Sequence, residues 1–186
     1  MKKIILFASG SGSNAEKIIR KCQETKTIQV CKIYTNNPSA KVIERGKSLN
    51  VPVEIFNRED LNDGIIAEKI HQDAPDLIVL AGFLWKFPET IIKNFENKII
   101  NIHPALLPKY GGKGMYGMNV HQAVLDSNEK ETGITIHFVN EHYDEGGIIF
   151  QKSVNIEDCS TAVEIADKIH VLEHRYFPEI IEKLLM

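Results

Sequence analysis

No apolar run in the chain approaches the roughly 18 residues that a membrane-spanning helix needs, so a helical membrane protein is not expected. An excess of one charge is missing as well: 22 Lys and Arg against 25 Asp and Glu leave a net charge of -3. A broad basic field able to hold nucleic-acid backbones is thereby excluded, and an anionic small molecule would need a local pocket. Cysteine is scarce. Cys22, Cys31 and Cys159 are odd in number, widely spaced and outside any Cys-x-x-Cys pattern, which argues against a disulfide framework and a zinc site and fits a reducing compartment. There is no low-complexity tract and no internal repeat. Met1-Lys2-Lys3 before Ile4–Ala8 has only the outline of a secretion signal, because the apolar stretch is short and no small-residue cleavage site follows. The expectation is a soluble, cytoplasmic protein with neither membrane nor nucleic acid as partner.

What is present is a chain of 186 residues with 43% hydrophobic content, enough for one sizeable core and too little for two. A single domain over residues 1–186 is expected. Short apolar runs at Ile4–Ala8, Ile28–Tyr34, Leu77–Ala81 and Ile99–Ile102 alternate with helical patterns at Asn14–Cys22, Lys41–Leu49 and Ile65–Gln72. That alternation predicts an α/β protein whose mostly parallel, twisted sheet carries helices on both faces. In the second half, residues 132–139 and 147–152 flank a turn-rich link and read as two antiparallel strands, so the sheet is mixed at one end. The last helix starts at Thr161-Ala162-Val163-Glu164, a capping-box spacing, and Pro178 is expected to kink or restart it.

The segment from Lys98 to Pro108 is the most informative. Asn101 and His103 stand two apart at the end of an apolar run that Pro104 stops, so both side chains face one side at a strand's carboxyl end, where open α/β sheets place their chemistry. An amide N–H suits a developing oxyanion, and an imidazole carries protons near neutral pH. The pair reads as acyl-type transfer. The first strand ends in Ser9-Gly10-Ser11-Gly12-Ser13-Asn14, a loop whose glycines and following helix N-terminus suit a phosphate. It lacks the Gly-Lys-Ser/Thr of a Walker loop and the third glycine of a dinucleotide fingerprint. The turn Glu141–Gly147 carries three carboxylates. If it folds over the Asn101–His103 edge, one of them can bond the imidazole and raise its pKa; spacing does not choose which. In Asp76–Lys86, a buried strand precedes a loop in which Gly82 can turn backbone polar groups toward a ligand, or in which Trp85 simply covers the core. His71, His121, His170 and His174 lie on predicted helices. His170 and His174 have metal-compatible i, i+4 spacing, but no third ligand accompanies them, and no metal is expected.

Taken in order along nearly the whole chain, the Ser9–Asn14 loop, Leu80-Ala81-Gly82-Phe83, Asn101-Ile102-His103-Pro104 with Leu106–Tyr110, and His137-Phe138-Val139 followed by Asp144 resemble the phosphoribosylglycinamide formyltransferase family. The resemblance implies a Rossmann-like formyltransferase fold. It also implies transfer of a formyl group from the co-substrate 10-formyltetrahydrofolate to the amine of glycinamide ribonucleotide, a step of purine (IMP) synthesis. Asn101, His103 and Asp144 match the family's catalytic residues: Asn101 and protonated His103 stabilise the oxyanion, Asp144 keeps His103 charged and oriented, and a proton relay through an ordered water completes the reaction. Ser11, Gly12, Ser13 and Asn14 match the phosphate contacts, and Glu173 a contact to ribose or glycinamide. Leu84, Trp85, Lys86 and Phe87 match the loop whose main chain meets the pterin, with the 140–144 turn opposite. Asn101 also faces the folate, and Arg58 matches a basic folate contact.

Two features depart from the family pattern. Trp85 stands where arginine is common, and Gly111–Asn119, with four glycines in nine residues, is longer than the usual link before the helix that begins near Val120 and His121. Such a stretch suits a flap at the cleft rim. Methionyl-tRNA formyltransferase and formyltetrahydrofolate hydrolase share Asn-x-His-Pro but carry extra domains for which this length leaves no room. A non-catalytic nucleotide-binding module is the rival from another class. The molecule is expected to be a monomer or homodimer.

Overall fold

The alternating side chains of the first strand explain the layering. In the computed structural model, which describes residues 1–186, Ile4, Leu6 and Ala8 point into one core while Ile5 and Phe7 point into another. A strand buried on both faces reads as a continuous apolar run because helices cover the sheet on both sides. The strands are β1 (Lys2–Phe7), β2 (Ile28–Thr35), β3 (Val53–Ile55), β4 (Leu77–Leu80), β5 (Ile99–His103), β6 (Glu131–Phe138) and β7 (Ile148–Asn155). Their spatial order is β3-β2-β1-β4-β5-β6-β7. The first five are mutually parallel, and β6 is antiparallel to both β5 and β7, as the second-half pattern predicted.

The larger core packs the sheet against α1 (Ser13–Thr25), α2 (Val42–Ser48), α6 (Met118–Asp126) and α7 (Ala162–Leu185). The smaller, richer in aromatics, packs it against α3 (Arg58–Asn62), α4 (Ile65–Asp73) and α5 (Glu89–Asn94). Chain order runs outward from β1 in both directions, so the β1/β4 boundary is the point where the winding reverses. The loops leaving β1 and β4 there diverge and open a crevice at the strands' carboxyl ends.

The pattern missed β3, only three residues long and at the sheet edge, and the short helices α3 and α5, because so few residues carry no readable period. The capping box at α7 is present: Glu164 N–H donates to Thr161 Oγ1 at 3.2 Å, and Thr161 N–H donates to Glu164 Oε2 at 3.0 Å. The expected restart at Pro178 is not observed, and α7 runs unbroken to Leu185. Proline removes one backbone bond, but Phe177, Ile180 and Ile181 around it are buried in the core, and that packing outweighs the single lost bond.

Candidate functional site

One cleft of about 640 Å³ runs along the carboxyl ends of β1, β4 and β5. Its floor is set by register across the antiparallel pair. Asn101 on β5 lies opposite His137 on β6, and His103 lies opposite Thr135. All four share one face, while Ile100, Ile102, Ile134 and Ile136 fill the core on the other. Thr135 is fully buried and ties down the turn after His103: its hydroxyl donates to Ala105 O at 2.7 Å and accepts from Leu107 N–H at 3.0 Å.

The imidazole of His103 is 3% exposed. Its Nε2 donates to the Tyr110 carbonyl at 2.7 Å, which assigns the proton of the neutral ring to Nε2 and leaves the Nδ1 lone pair facing Asp144 Oδ2, 3.6 Å away. Asp144 is the carboxylate that spacing could not choose. Glu141 instead reaches Lys93 at 3.6 Å from a side chain 45% exposed, and Glu145 is exposed. The turn can fold back this closely because of Gly146, where a Cβ would stand 1.7 Å from the Phe138 carbonyl. Asp144 itself adopts the left-handed region at φ 56, which Asp tolerates better than most residues. Gly112 N–H donates to its Oδ2 at 3.0 Å.

The sequence led us to expect a raised His103 pKa. The net shift is downward: burial is the largest influence and disfavours the imidazolium, while Asp144 and the Tyr110 carbonyl act the other way without cancelling it. His103 therefore rests neutral more readily than an exposed histidine, and Asp144 supports the charged form only once a proton arrives. Asp144 is also buried, which works to raise its pKa, but the His137 ring 3.6 Å from its Oδ1, the proximity of His103 and the Gly112 N–H together hold it below the ordinary carboxylate value.

Sequence reasoning did not single out His137 as a site residue. Its Nδ1 donates to Phe138 O at 2.9 Å, so its Nε2 accepts from Asn101 Nδ2 at 3.2 Å. This fixes the Asn101 amide with one N–H bound and the other free. The signal was the Thr135/His137 alternation, which matches that of Asn101/His103, but only strand register joins the two.

At the far end of the cleft, α1 starts from Gly12 with no side-chain cap. The first-turn N–H groups of Asn14 and Ala15 have no partner in the chain, the condition in which a helix N-terminus holds an anion. Asn14 Nδ2 donates to Glu173 Oε2 at 2.9 Å, joining α1 to α7. Burial raises the Glu173 pKa, against the opposing effects of Asn14 and His170. Gly12 is at φ 71, and a Cβ there would sit 2.4 Å from Val42 Cγ2 and 2.9 Å from its Cα. Gly12→Ala is expected to destabilise the fold by about 1–3 kcal/mol and to weaken an anion held at this helix start. Urea denaturation and calorimetric titration with inorganic phosphate would check both effects, and unaltered phosphate affinity would mean that the N-terminus of α1 is not an anion site.

The loop after β4 forms the third wall. Leu84 N–H donates to Ser9 Oγ and Ser9 N–H to Gly82 O, each at 3.0 Å, so the loops of β1 and β4 brace each other. Trp85, Lys86 and Phe87 make no main-chain hydrogen bond within the protein, and they line the cleft with the apolar Ile92 and Val139. An aromatic heterocycle edged with donors and acceptors fits such a lining. Phe87 is 2% exposed and packs edge-on to Phe7. Trp85 packs against Phe56 and Phe83. Arg58 does not line the cleft; its guanidinium stacks on the Trp85 ring at 4.4 Å, one layer out. Residues 112–117, His121 and His170 also line the cleft.

The sequence profile described as "Formyl transferase" matches residues 2–181. The phosphoribosylglycinamide formyltransferase of Bacillus subtilis is 36% identical, and the match covers 100% of this chain and 95% of that protein. The chloroplastic enzyme of that name from Arabidopsis thaliana is 37% identical over 97% of this chain, which spans 64% of that longer protein. The crystal structure of glycinamide ribonucleotide transformylase 1 from Geobacillus kaustophilus superposes with a TM-score of 0.91 at 32% identity, over 100% of both chains. With the winding of the sheet, the cleft and these matches in agreement, the chain belongs to the formyl transferase family, within its phosphoribosylglycinamide formyltransferase group.

Proposed function

We propose that residues 1–186 act as one unit that transfers the formyl group of 10-formyltetrahydrofolate to the amine of glycinamide ribonucleotide, giving formylglycinamide ribonucleotide and tetrahydrofolate in purine (IMP) synthesis. The observation that carries this reading is the layout of the cleft. A fixed amide donor and an imidazole backed by a carboxylate share one cleft with a loop of unpaired backbone groups and an uncapped helix N-terminus. Family membership supports the same chemistry.

When bound, 10-formyltetrahydrofolate supplies an activated formyl carbon. The main chain of Trp85, Lys86 and Phe87, with Leu84 and the 140–144 turn, holds the pterin, and Arg58 acts on that end only through Trp85. Ser11, Gly12, Ser13 and Asn14 hold the nucleotide phosphate, and Glu173 its ribose or glycinamide part. Asn101 offers its free amide N–H to the formyl oxygen, where negative charge develops. Because His137 already holds the other N–H, this donor needs no reorganisation during the reaction. His103 Nδ1 takes the proton that the attacking amine loses. The imidazolium so formed faces ionised Asp144, which stabilises it until the proton passes to the departing folate nitrogen.

The test is one assay: purified protein with 10-formyltetrahydrofolate, with and without glycinamide ribonucleotide, following both folate deformylation and product. The proposal requires formylated nucleotide in step with tetrahydrofolate. Folate turnover without nucleotide would identify a hydrolase, and ligand binding without turnover a binding module.

Asp144→Asn has a signed pH effect. Asp144 raises the His103 pKa against burial, so its loss should lower that pKa further. The acid limb of the kcat/KM profile, where His103 becomes protonated and cannot act as base, should then move to lower pH, with reduced turnover throughout. Profiles of both proteins from pH 5 to 9 check this, and superimposable limbs would contradict the coupling.

A further inference from the structure

His121 lines the cleft from α6 and is 3% exposed, yet its Nδ1 is buried without a hydrogen-bond partner. Buried polar atoms in native proteins are nearly always paired. Only four side-chain atoms in this protein are not, and three of them, Asn14 Oδ1, His121 Nδ1 and His174 Nε2, belong to α1, α6 and α7, where α7 packs against the other two. Two of them, Asn14 and His121, line the cleft, so the protein itself leaves polar groups there unmatched.

The position of His121 within the cleft narrows what would match it. Its electrostatic neighbours are His103 on the catalytic side and His170, which flanks Glu173 on α7. It lines the same cleft as the α1 loop and His103. Burial first, and those two histidines after it, push its pKa down to about 4, so at neutral pH the ring is uncharged, with one N–H donor and one lone-pair acceptor. A phosphate or carboxylate gains no charge pairing from such a group. An amide, with one N–H and one carbonyl, is its complement.

On the functional reading given above, the nucleotide has one such group between its anchored phosphate and its reacting amine. We infer that His121 is a positioning residue that hydrogen-bonds the amide linking the ribose to the amine of the nucleotide substrate, and so sets how far the amine reaches toward the formyl carbon.

Calorimetric titration of wild type, His121→Phe and His121→Gln with glycinamide ribonucleotide, and separately with ribose 5-phosphate, tests this. His121→Phe should weaken glycinamide ribonucleotide binding about tenfold, the effect of one lost hydrogen bond, and leave ribose 5-phosphate unchanged. Glutamine, which keeps a donor and an acceptor, should recover part of the loss. The urea midpoint of His121→Phe should be no lower than that of wild type, since an unmatched buried polar atom has been removed. Equal weakening of both ligands, no weakening of either, or glutamine no better than phenylalanine would each overturn the inference. Wild-type protein that fails to bind glycinamide ribonucleotide overturns the assignment of the acceptor, and this inference with it. Wild-type binding with an indifferent His121→Phe overturns this inference alone.

Discussion

His103→Ala is expected to lower turnover by about 10²–10⁴-fold, the range for removing a general acid–base group, while the affinity for ribose 5-phosphate stays within about twofold. The split follows from where the residue sits. His103 is held between the Tyr110 carbonyl and Asp144, and it makes no hydrogen bond to the loop that starts α1. The substitution takes away the group that accepts the amine's proton, and Asp144, too acidic in its setting to take over, stays ionised. A modest loss of stability should accompany it, because the Tyr110 carbonyl loses its donor; unsatisfied groups of this kind cost about 1–3 kcal/mol. Single-turnover kinetics beside a urea titration separate the two effects. A twofold loss of turnover in folded protein would remove His103 from proton transfer.

Asn101→Ala should cost about 10²–10³ in turnover, as expected for one preorganised oxyanion donor. The argument rests on His137. Its Nε2 can accept from Asn101 only because its Nδ1 proton is committed to the Phe138 carbonyl, so the Asn101 amide cannot rotate to present its oxygen to the formyl group without losing that bond. Alanine removes the donor and leaves His137 Nε2 nearer to Asp144 Oδ1, 3.6 Å away, as its one remaining polar neighbour. Folate affinity should change little, because the donor strengthens its bond only as charge develops on the formyl oxygen. The measurement is kcat against KM for 10-formyltetrahydrofolate. A rise in KM with kcat unchanged would make Asn101 a binding residue instead.

These residues also mark how far the chain could be read as a string. Asn101 and His103 were legible because two-residue alternation in a strand is a local property, and the α1 loop because Gly10 and Gly12 directly precede a helical period. The Thr161/Glu164 cap was legible for the same reason. Misreadings arose where a local rule met packing. Pro178 was expected to kink or restart the last helix, and no restart occurs because buried neighbours carry α7 past it. A carboxylate should raise an imidazole's pKa, and Asp144 does so, yet burial is the larger effect. Arg58, which aligned as a folate contact, stands beside the 84–87 loop with its guanidinium on the Trp85 ring, a placement that no local rule gives.

By itself the sequence determined the order and type of the main strands and helices, the shared orientation of Asn101 and His103, and the phosphate-suited turn before α1, since each depends on steric preferences within a few neighbouring residues. The tertiary structure alone decided that Asp144, not Glu141 or Glu145, meets His103, that His137, 36 residues away, orients Asn101, and that burial outweighs Asp144 in setting the His103 pKa. Those outcomes depend on strand register and on exclusion of water, which arise only when distant segments pack together.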